Sequence, residues 1–340
     1  MTSLQRESRP KHEHAPHSVK CVVVTGPTAT GKTRLGVRLA RRFHGEIVSC
    51  DSRQVYVGMD IGTGKDLAEY APPGDRIPVH LIDVVPPSES YHLFRFLSDA
   101  RNAIRAIEKR RKLPLLVGGT PLYIKALLDD YQLTGGAPDP ALRAELEHLS
   151  EETLLDILRK EAPQLYARTD HSQRKRLVRA VEIARTAAAS APGQSPGFVL
   201  NALLLAPYYS RREVHRRIEA RLDARLHQGM IHEVRRLHER GVSWQRLDEL
   251  GLEYRYLARH LRGELNSTEC RNQLLARIRR FCKSQDIWFR KMEREGKIIH
   301  WIPGGDLEKA AKLVERFLAG EPLPPPPFQL KDVLYGPKSQ

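Results

Sequence analysis

One eight-residue stretch limits this chain more than any other. Gly26-Pro27-Thr28-Ala29-Thr30-Gly31-Lys32-Thr33 matches G-x-x-x-x-G-K-[ST]. It lies between an apolar, β-branched run, Cys21 to Thr25, and a stretch of helical spacing from about Lys32 to Phe43. That strand–loop–helix order is the context in which such a loop wraps a phosphate. Its backbone N–H groups surround the oxygens, and the helix N-terminus adds a favourable field. Lys32 neutralises phosphate charge, and the Thr33 hydroxyl helps to hold Mg²⁺. The loop does not specify what carries the phosphate. ATP is the ordinary ligand, and any diphosphate ester suits the same cradle.

The rest of the pattern extends this start into an α/β fold. Glu46 to Cys50, Val79 to Val84 and Leu113 to Val117 read as buried strands, and Phe94 to Arg111 reads as a helix between the last two. This alternation predicts a P-loop NTPase-like core with a mostly parallel sheet flanked by helices. From Pro140 to about Ala188 the reading is helical and charged, bounded by TGGAPDP and ASAPGQSPG, which predicts an all-helical insertion. The core then resumes with a strand over Phe198 to Ala206. Helices follow over Ser210 to Arg240, Arg246 to Leu261 and Ser267 to Arg294, then a short strand over Ile298 to Ile302. The expected organisation is a disordered tail over 1–18, a first core segment over 19–137, the insertion over 138–194, a second core segment over 195–304, and a C-terminal helix with a Pro-rich tail over 305–340.

Charge narrows the partner. There are 56 Lys and Arg against 41 Asp and Glu, a formal net charge of +15, which favours a polyanion such as nucleic acid. The four cysteines, Cys21, Cys50, Cys270 and Cys282, have no CxxC spacing and complete no zinc pattern, as expected in reducing cytoplasm. No apolar run is long enough to span a bilayer, and the first residues lack the apolar core of a signal peptide. His12, His14 and His17 fall in that first stretch and read as part of a disordered tail. Nothing in the sequence demands more than a monomer.

Other residues gather at strand ends. Asp51 follows the second strand in Asp51-Ser52-Arg53-Gln54, so its carboxylate is aimed at the ligand crevice, to bind Mg²⁺ or to accept a proton; capping a helix is the alternative. Gly62-Thr63-Gly64-Lys65 and Gly118-Gly119-Thr120 are able to approach phosphate or nucleotide closely. The nearest thing to a second metal-binding strand is Leu81-Ile82-Asp83, and there is no arginine-finger pattern, which argues against an ATP-driven motor.

Taken together, GPTATGKT, DSRQVYVGMDIGTGK, IPVHLIDVV and LPLLVGGTPLYIKALL resemble the tRNA dimethylallyltransferase (tRNA isopentenyltransferase) family over roughly residues 21 to 303. The resemblance implies transfer of a dimethylallyl group from dimethylallyl diphosphate to N6 of the adenosine just 3′ of the anticodon, in tRNAs that read codons starting with U. It implies that Mg²⁺ supports the diphosphate and that the helical insertion grips the anticodon stem-loop. Asp51 then stands as the general base, with Thr28 and Arg221 beside it in the catalytic set. Gly26 to Thr33 bind the diphosphate, Thr33 serves the metal, and Arg217 is a near competitor of Arg221. Ser52, Arg53, Gln54, Thr120, Arg143, Arg176, Arg179, Lys283 and Gln285 are implied to meet the tRNA, with Arg174 and Lys175 beside them on the insertion.

The residue types suit that chemistry. Adenine N6 is a weak nucleophile, and a carboxylate hydrogen-bonded to it raises its electron density and takes its proton. Cations stabilise the charge growing on the departing diphosphate. The target base must leave its stack to reach a buried pocket. Two segments depart from the family pattern. One reads Gly251-Leu252-Glu253-Tyr254-Arg255. The other, Cys282 to Arg290, has Ser284 for an Arg, Ile287 for a Thr, and an added Asp286, while Lys283, Gln285, Trp288, Phe289 and Arg290 match. The alternatives are a free-nucleotide (adenylate) isopentenyltransferase, a small-molecule kinase, and an RNA-binding paralogue of weakened catalysis.

Overall fold

The computed structural model describes residues 17–71, 76–131, 139–186 and 198–333. Six strands form one sheet: β1 (His17–Val24), β2 (Glu46–Ser49), β3 (Val79–His80), β4 (Pro114–Val117), β5 (Phe198–Tyr208) and β6 (Ile299–Pro303). Their order is β3-β2-β4-β1-β5-β6, and every neighbouring pair is parallel. The α/β class read from the sequence is therefore correct. Side chains alternate faces along a strand, and the two cores divide accordingly. Cys21, Val23, Val48 and Leu116 join one core, and Val22, Val24, Ile47 and Leu115 the other. Both faces are covered, which is why Cys21–Val24, Ile47–Val48 and Leu115–Val117 are apolar at successive positions.

On one face lie α1 (Lys32–Arg42) and, from the chain's end, a helix that buries Ala310, Val314 and Phe317. Between α1 and the insertion the chain forms α2 (Leu67–Tyr70), α3 (Leu93–Lys109) and α4 (Pro121–Leu128). The insertion is α5 (Pro140–Glu147), α6 (Glu151–Glu161), α7 (Pro163–Arg168) and α8 (Arg174–Thr186). It has a small core of its own, with Leu146, Leu154, Leu158, Leu177 and Val181 fully buried. Asp139 and Ser150 cap α5 and α6 by accepting from N–H groups of the first turn. The expected insertion boundaries at 137/138 and 194/195 lie outside the described residues. After β5 come α9 (Arg211–His227), α10 (Met230–Glu239), α11 (Trp244–Leu250), α12 (Leu252–Leu261), α13 (Ser267–Arg294) and, after β6, α14 (Leu307–Ala319). The opposite face packs against α3, α4, α9, α10, α12 and α13.

Several expectations need correction. The strand over Val79 to Val84 stops at His80, because Leu81 and Asp83 adopt φ of 65° and 55° and turn the chain out of the sheet. The helix over Ser210 to Arg240 is two helices divided at Gly229 (φ 96°), and that over Arg246 to Leu261 is divided at Gly251 (φ 70°). The N-terminal tail is shorter than expected, since β1 begins at His17, whose ring meets Glu108 at 2.6 Å; His12 and His14 lie outside the described residues. The Pro-rich end is folded back as far as Val333. There the buried carboxylate of Glu293 accepts from the N–H groups of Leu330 (3.0 Å) and Lys331 (2.7 Å) and from the Trp301 indole (2.7 Å). All four cysteines are buried and unpaired.

Candidate functional site

A cavity of about 550 Å³ opens at the carboxyl ends of the strands, where open α/β sheets present their ligands. Five loops that meet it leave strands of the sheet: residues 25–31 from β1, 50–54 from β2, 118–120 from β4, 209 from β5 and 304–305 from β6.

The phosphate loop is fixed before any ligand arrives. Gly26 has φ 132° and Gly31 φ 80°, conformations that L side chains resist. The Thr30 hydroxyl donates to the Pro27 carbonyl at 2.9 Å, and Lys32 Nζ donates to the same oxygen at 3.0 Å. The Thr28 N–H donates to Gln285 Oε1 at 2.9 Å, while Gln285 Nε2 donates to the Gly119 carbonyl at 2.6 Å. One buried carboxamide on α13 thus ties the loop after β1 to the loop after β4. Burial pushes the Lys32 ammonium down to about 8, with nearby Asp51 opposing and Arg221 adding to the shift.

Across the cavity, α9 presents Arg217, Arg221 and Arg225 at four-residue spacing, one above the other on a single face. Arg221 donates to the Thr28 hydroxyl. Burial, reinforced by Arg225, lowers its guanidinium to about 10. Arg217 stacks on Tyr209, 3.7 Å from the ring centroid, and pairs with Glu213 at 2.7 Å. Thr28, Lys32 and Arg221 therefore surround one space suited to a diphosphate.

The second wall carries Asp51 to Gln54. Asp51 Oδ1 accepts from the Arg53 N–H at 3.0 Å, a local turn that leaves the carboxylate lining the cavity. The Ser52 N–H donates to the Thr120 hydroxyl at 3.0 Å, and the Thr120 N–H to the Cys50 carbonyl at 3.1 Å, so the loop after β4 fixes the loop after β2. Arg53 pairs with Glu253 at 2.7 Å and lies over the Tyr254 ring, yet its Nε and one terminal nitrogen are buried without an acceptor. Burial alone would raise the Glu253 carboxyl, but Arg53 overrides this and holds it below its usual range.

Sequence reasoning missed the support of this wall. Glu233 on α10 is 2% exposed. Its carboxylate accepts from three successive N–H groups, Asp60 (2.8 Å), Ile61 (2.7 Å) and Gly62 (2.9 Å), and from the Tyr254 hydroxyl (2.8 Å). It shapes the glycine-rich loop, which lines the cavity with Gly62, Thr63 and Gly64. Lys65 does not reach the cavity. It is fully buried and donates to the Tyr56 carbonyl, Asp60 and Asp83. That bond also turns Asp83 toward a lysine instead of a metal. Arg225 carries no motif, and Glu253 and Tyr254 are marked in the sequence only as part of a segment that departs from the family pattern. The four-residue arginine spacing on α9 was the one available signal for Arg225.

Other predicted contacts fall elsewhere. Gln54 is buried, accepting from Ser49 at 2.9 Å and donating to the Gly64 carbonyl at 3.0 Å, so its carboxamide and that of Gln285 are both engaged within the cavity wall. Lys283 is exposed on α13 and does not line the cavity. Arg143 and Arg179 converge on the buried Glu182 of the insertion, at 2.7 and 2.9 Å, and Arg176 pairs with Asp170 on its surface. Arg179 and Arg143 also approach His92 on α3, where burial, with these charges adding, lowers the imidazole.

For a metal, the residues fit a shared ion better than a protein-built cage. Among the described residues no group of three or more His, Cys, Asp or Glu converges. Thr33 lines the cavity, as do Asp51, Asp66 and Glu69. A hydroxyl on a phosphate loop, in a cavity that also holds carboxylates, suits Mg²⁺ carried by phosphate oxygens. Among the described residues no helix is long and apolar enough to cross a membrane.

The site can thus hold a diphosphate between a cationic cradle and a carboxylate wall. Comparison with known proteins identifies the relatives of this chain. The IPP transferase family model matches residues 54–292. A protein of Geotalea uraniireducens named tRNA dimethylallyltransferase 1 is 46% identical over 303 residues, covering 89% of this chain and 99% of the relative. One of Syntrophotalea carbinolica, tRNA dimethylallyltransferase 2, is 47% identical over 287 residues, covering 83% and 94%. The crystal structure of the full-length tRNA isopentenylpyrophosphate transferase of Bacillus halodurans aligns with a TM-score of 0.63 at 33% identity, covering 90% of this chain and 96% of that one. The fold, the cavity and these relatives lead to one statement: the chain belongs to the IPP transferase family.

Proposed function

We propose that this protein transfers the dimethylallyl group of dimethylallyl diphosphate to N6 of the adenosine just 3′ of the anticodon in tRNA. One observation carries the reading: the phosphate cradle of Thr28, Lys32 and Arg221 shares a cavity with the Asp51 carboxylate. Donor and acceptor therefore meet within one enclosure, as group transfer requires.

The diphosphate lies on the N–H groups of the phosphate loop, with Lys32 and Arg221 on either side. N6 of the extruded adenine donates a hydrogen bond to Asp51. The N6 lone pair attacks C1 of the allyl group as the C1–O bond breaks, and the bond's electron pair leaves with the diphosphate. The N6 proton passes to Asp51. Lys32 and Arg221 stabilise the departing charge within a site of low dielectric. Mg²⁺, when bound with the diphosphate at Thr33, supplies further neutralising charge to the leaving group. The unpaired N–H groups of Arg53 are donors for the acceptor nucleotide. Gln285 and Thr120 act indirectly, by holding the two walls in register. The insertion, through Arg174, Lys175 and Arg176, holds the RNA backbone. The protein acts as a monomer in the cytoplasm, and its four unpaired thiols suit that reducing compartment.

A free-nucleotide isopentenyltransferase would have the same donor site but no use for a helical insertion or for a chain of net charge +15. Both readings are separated by incubating the protein with dimethylallyl diphosphate, Mg²⁺ and either unmodified tRNA or AMP, followed by mass spectrometry of the nucleosides. Prenylated adenosine in tRNA and none from AMP is the expected result. Transfer to AMP alone would reverse the assignment.

A further inference from the structure

We propose that Phe281, backed by Ile278, is the apolar seat of the five-carbon tail of the allylic diphosphate and sets the length of prenyl group accepted. This rests on the donor assignment above. Phe281 is 37% exposed, and among the described residues no other large apolar side chain so exposed lines the cavity. Most of the remaining lining is polar or charged, from the phosphate loop, Asp51, Arg53 and the arginines of α9, with Leu35, Val117 and Leu252 as less exposed aliphatic members. A bare phenyl ring amid phosphate-binding groups gains by being covered with an apolar ligand.

Helical geometry places the ring beside the cradle. Ile278, Phe281 and Gln285 recur at intervals of three and four on α13, so they share one face. Gln285 anchors that face to Thr28 and Gly119. Phe281 is one turn away, about 6 Å along the axis. A Cβ on Gly119 would lie 3.1 Å from Gln285 Nε2 and 3.2 Å from Lys32 Nζ, so this face of α13 borders the charged end of Lys32. Ile278 is 5% exposed and closes the space behind. Truncating the ring would lengthen this seat, so the ring limits how long a tail is accepted.

The test compares wild type, Phe281→Ala and Phe281→Leu, each checked by thermal melting. Calorimetry measures affinity for inorganic pyrophosphate and for dimethylallyl diphosphate, and steady-state assays measure transfer from dimethylallyl and geranyl diphosphates to tRNA. Phe281→Ala is expected to leave pyrophosphate affinity and the KM for tRNA unchanged. It should weaken dimethylallyl diphosphate about tenfold or more, the scale of a pocket contact, and shift kcat/KM toward geranyl diphosphate. Phe281→Leu should restore most of the loss. A rise in the KM for tRNA alone would mean that the ring stacks on a nucleobase, and unchanged donor affinity would also overturn the proposal. Failure of the donor assignment is distinguishable, because the wild type itself would then bind dimethylallyl diphosphate no better than pyrophosphate and transfer nothing.

Discussion

Replacing Glu233 by Gln changes one oxygen to an amino group and little else in shape, so its effect isolates the hydrogen bonds. In the native protein Oε2 accepts from the Asp60 and Ile61 N–H groups, and Oε1 from the Gly62 N–H and the Tyr254 hydroxyl. A carboxamide retains one oxygen and directs an NH₂ at the other pair, so two buried donors lose their acceptor. At about 1–3 kcal/mol for each orphaned buried group, the loss is roughly 2–6 kcal/mol. For a chain of this size that lowers Tm by on the order of 3–8 °C. Because residues 62–64 line the cavity, affinity for the acceptor should fall as well. Differential scanning calorimetry and tRNA-binding assays on the same preparation provide the check. A Glu233→Gln protein that melts with the wild type would refute the reasoning that this carboxylate holds the loop.

Two further outcomes follow from the same geometry. A Cβ at Gly118 would lie 2.3 Å from the Cys50 carbonyl carbon and oxygen; because the obstruction is backbone, Gly118→Ala should separate β2 from β4 and yield insoluble or early-melting protein, visible in a thermal melt. The second concerns pH. Burial lowers Lys32 to about 8 in the ligand-free site, and a bound diphosphate favours the cation and raises it again. Binding therefore takes up a proton above pH 8, so pyrophosphate affinity should be full below pH 8 and fall up to tenfold per unit between 8 and 10. Arg221, lowered to about 10, stays charged through most of that window. Calorimetry in buffers of different ionisation enthalpy reads the proton uptake, which Lys32→Met should remove.

What was legible in the sequence follows the range of the forces involved. The phosphate loop is local, so Gly26 to Thr33 and the flanking β1 and α1 were identifiable from adjacent residues. Asp51 was identifiable because a strand end dictates where the next residue points. Helix breaks at Gly229 and Gly251 were hidden because the helical periodicity continues past them and only the backbone angle reveals the turn. The hydrogen-bond partners of Gln54, Lys65 and Gln285 were hidden for a different reason. Each is a polar residue in a motif, and motif position does not tell whether a side chain faces the ligand or pairs within the wall. Lys65 is neutralised by Asp83, 18 residues later, and Gln285 reaches Thr28, 257 residues away in the chain. Glu233 gave no signal at all, since its meaning depends on a loop 171 to 173 residues earlier.

The central claim is that Asp51 acts on the acceptor while Thr28, Lys32 and Arg221 hold the donor. The most direct measurement is single-turnover transfer by Asp51→Asn, with pyrophosphate and tRNA affinities measured on the same protein. Asparagine keeps the size and the turn but neither takes a proton nor carries charge. The expected result is a fall of about 10²–10⁴ in the rate of prenyl transfer, with pyrophosphate affinity within a few-fold of wild type. Transfer at the wild-type rate would contradict the account.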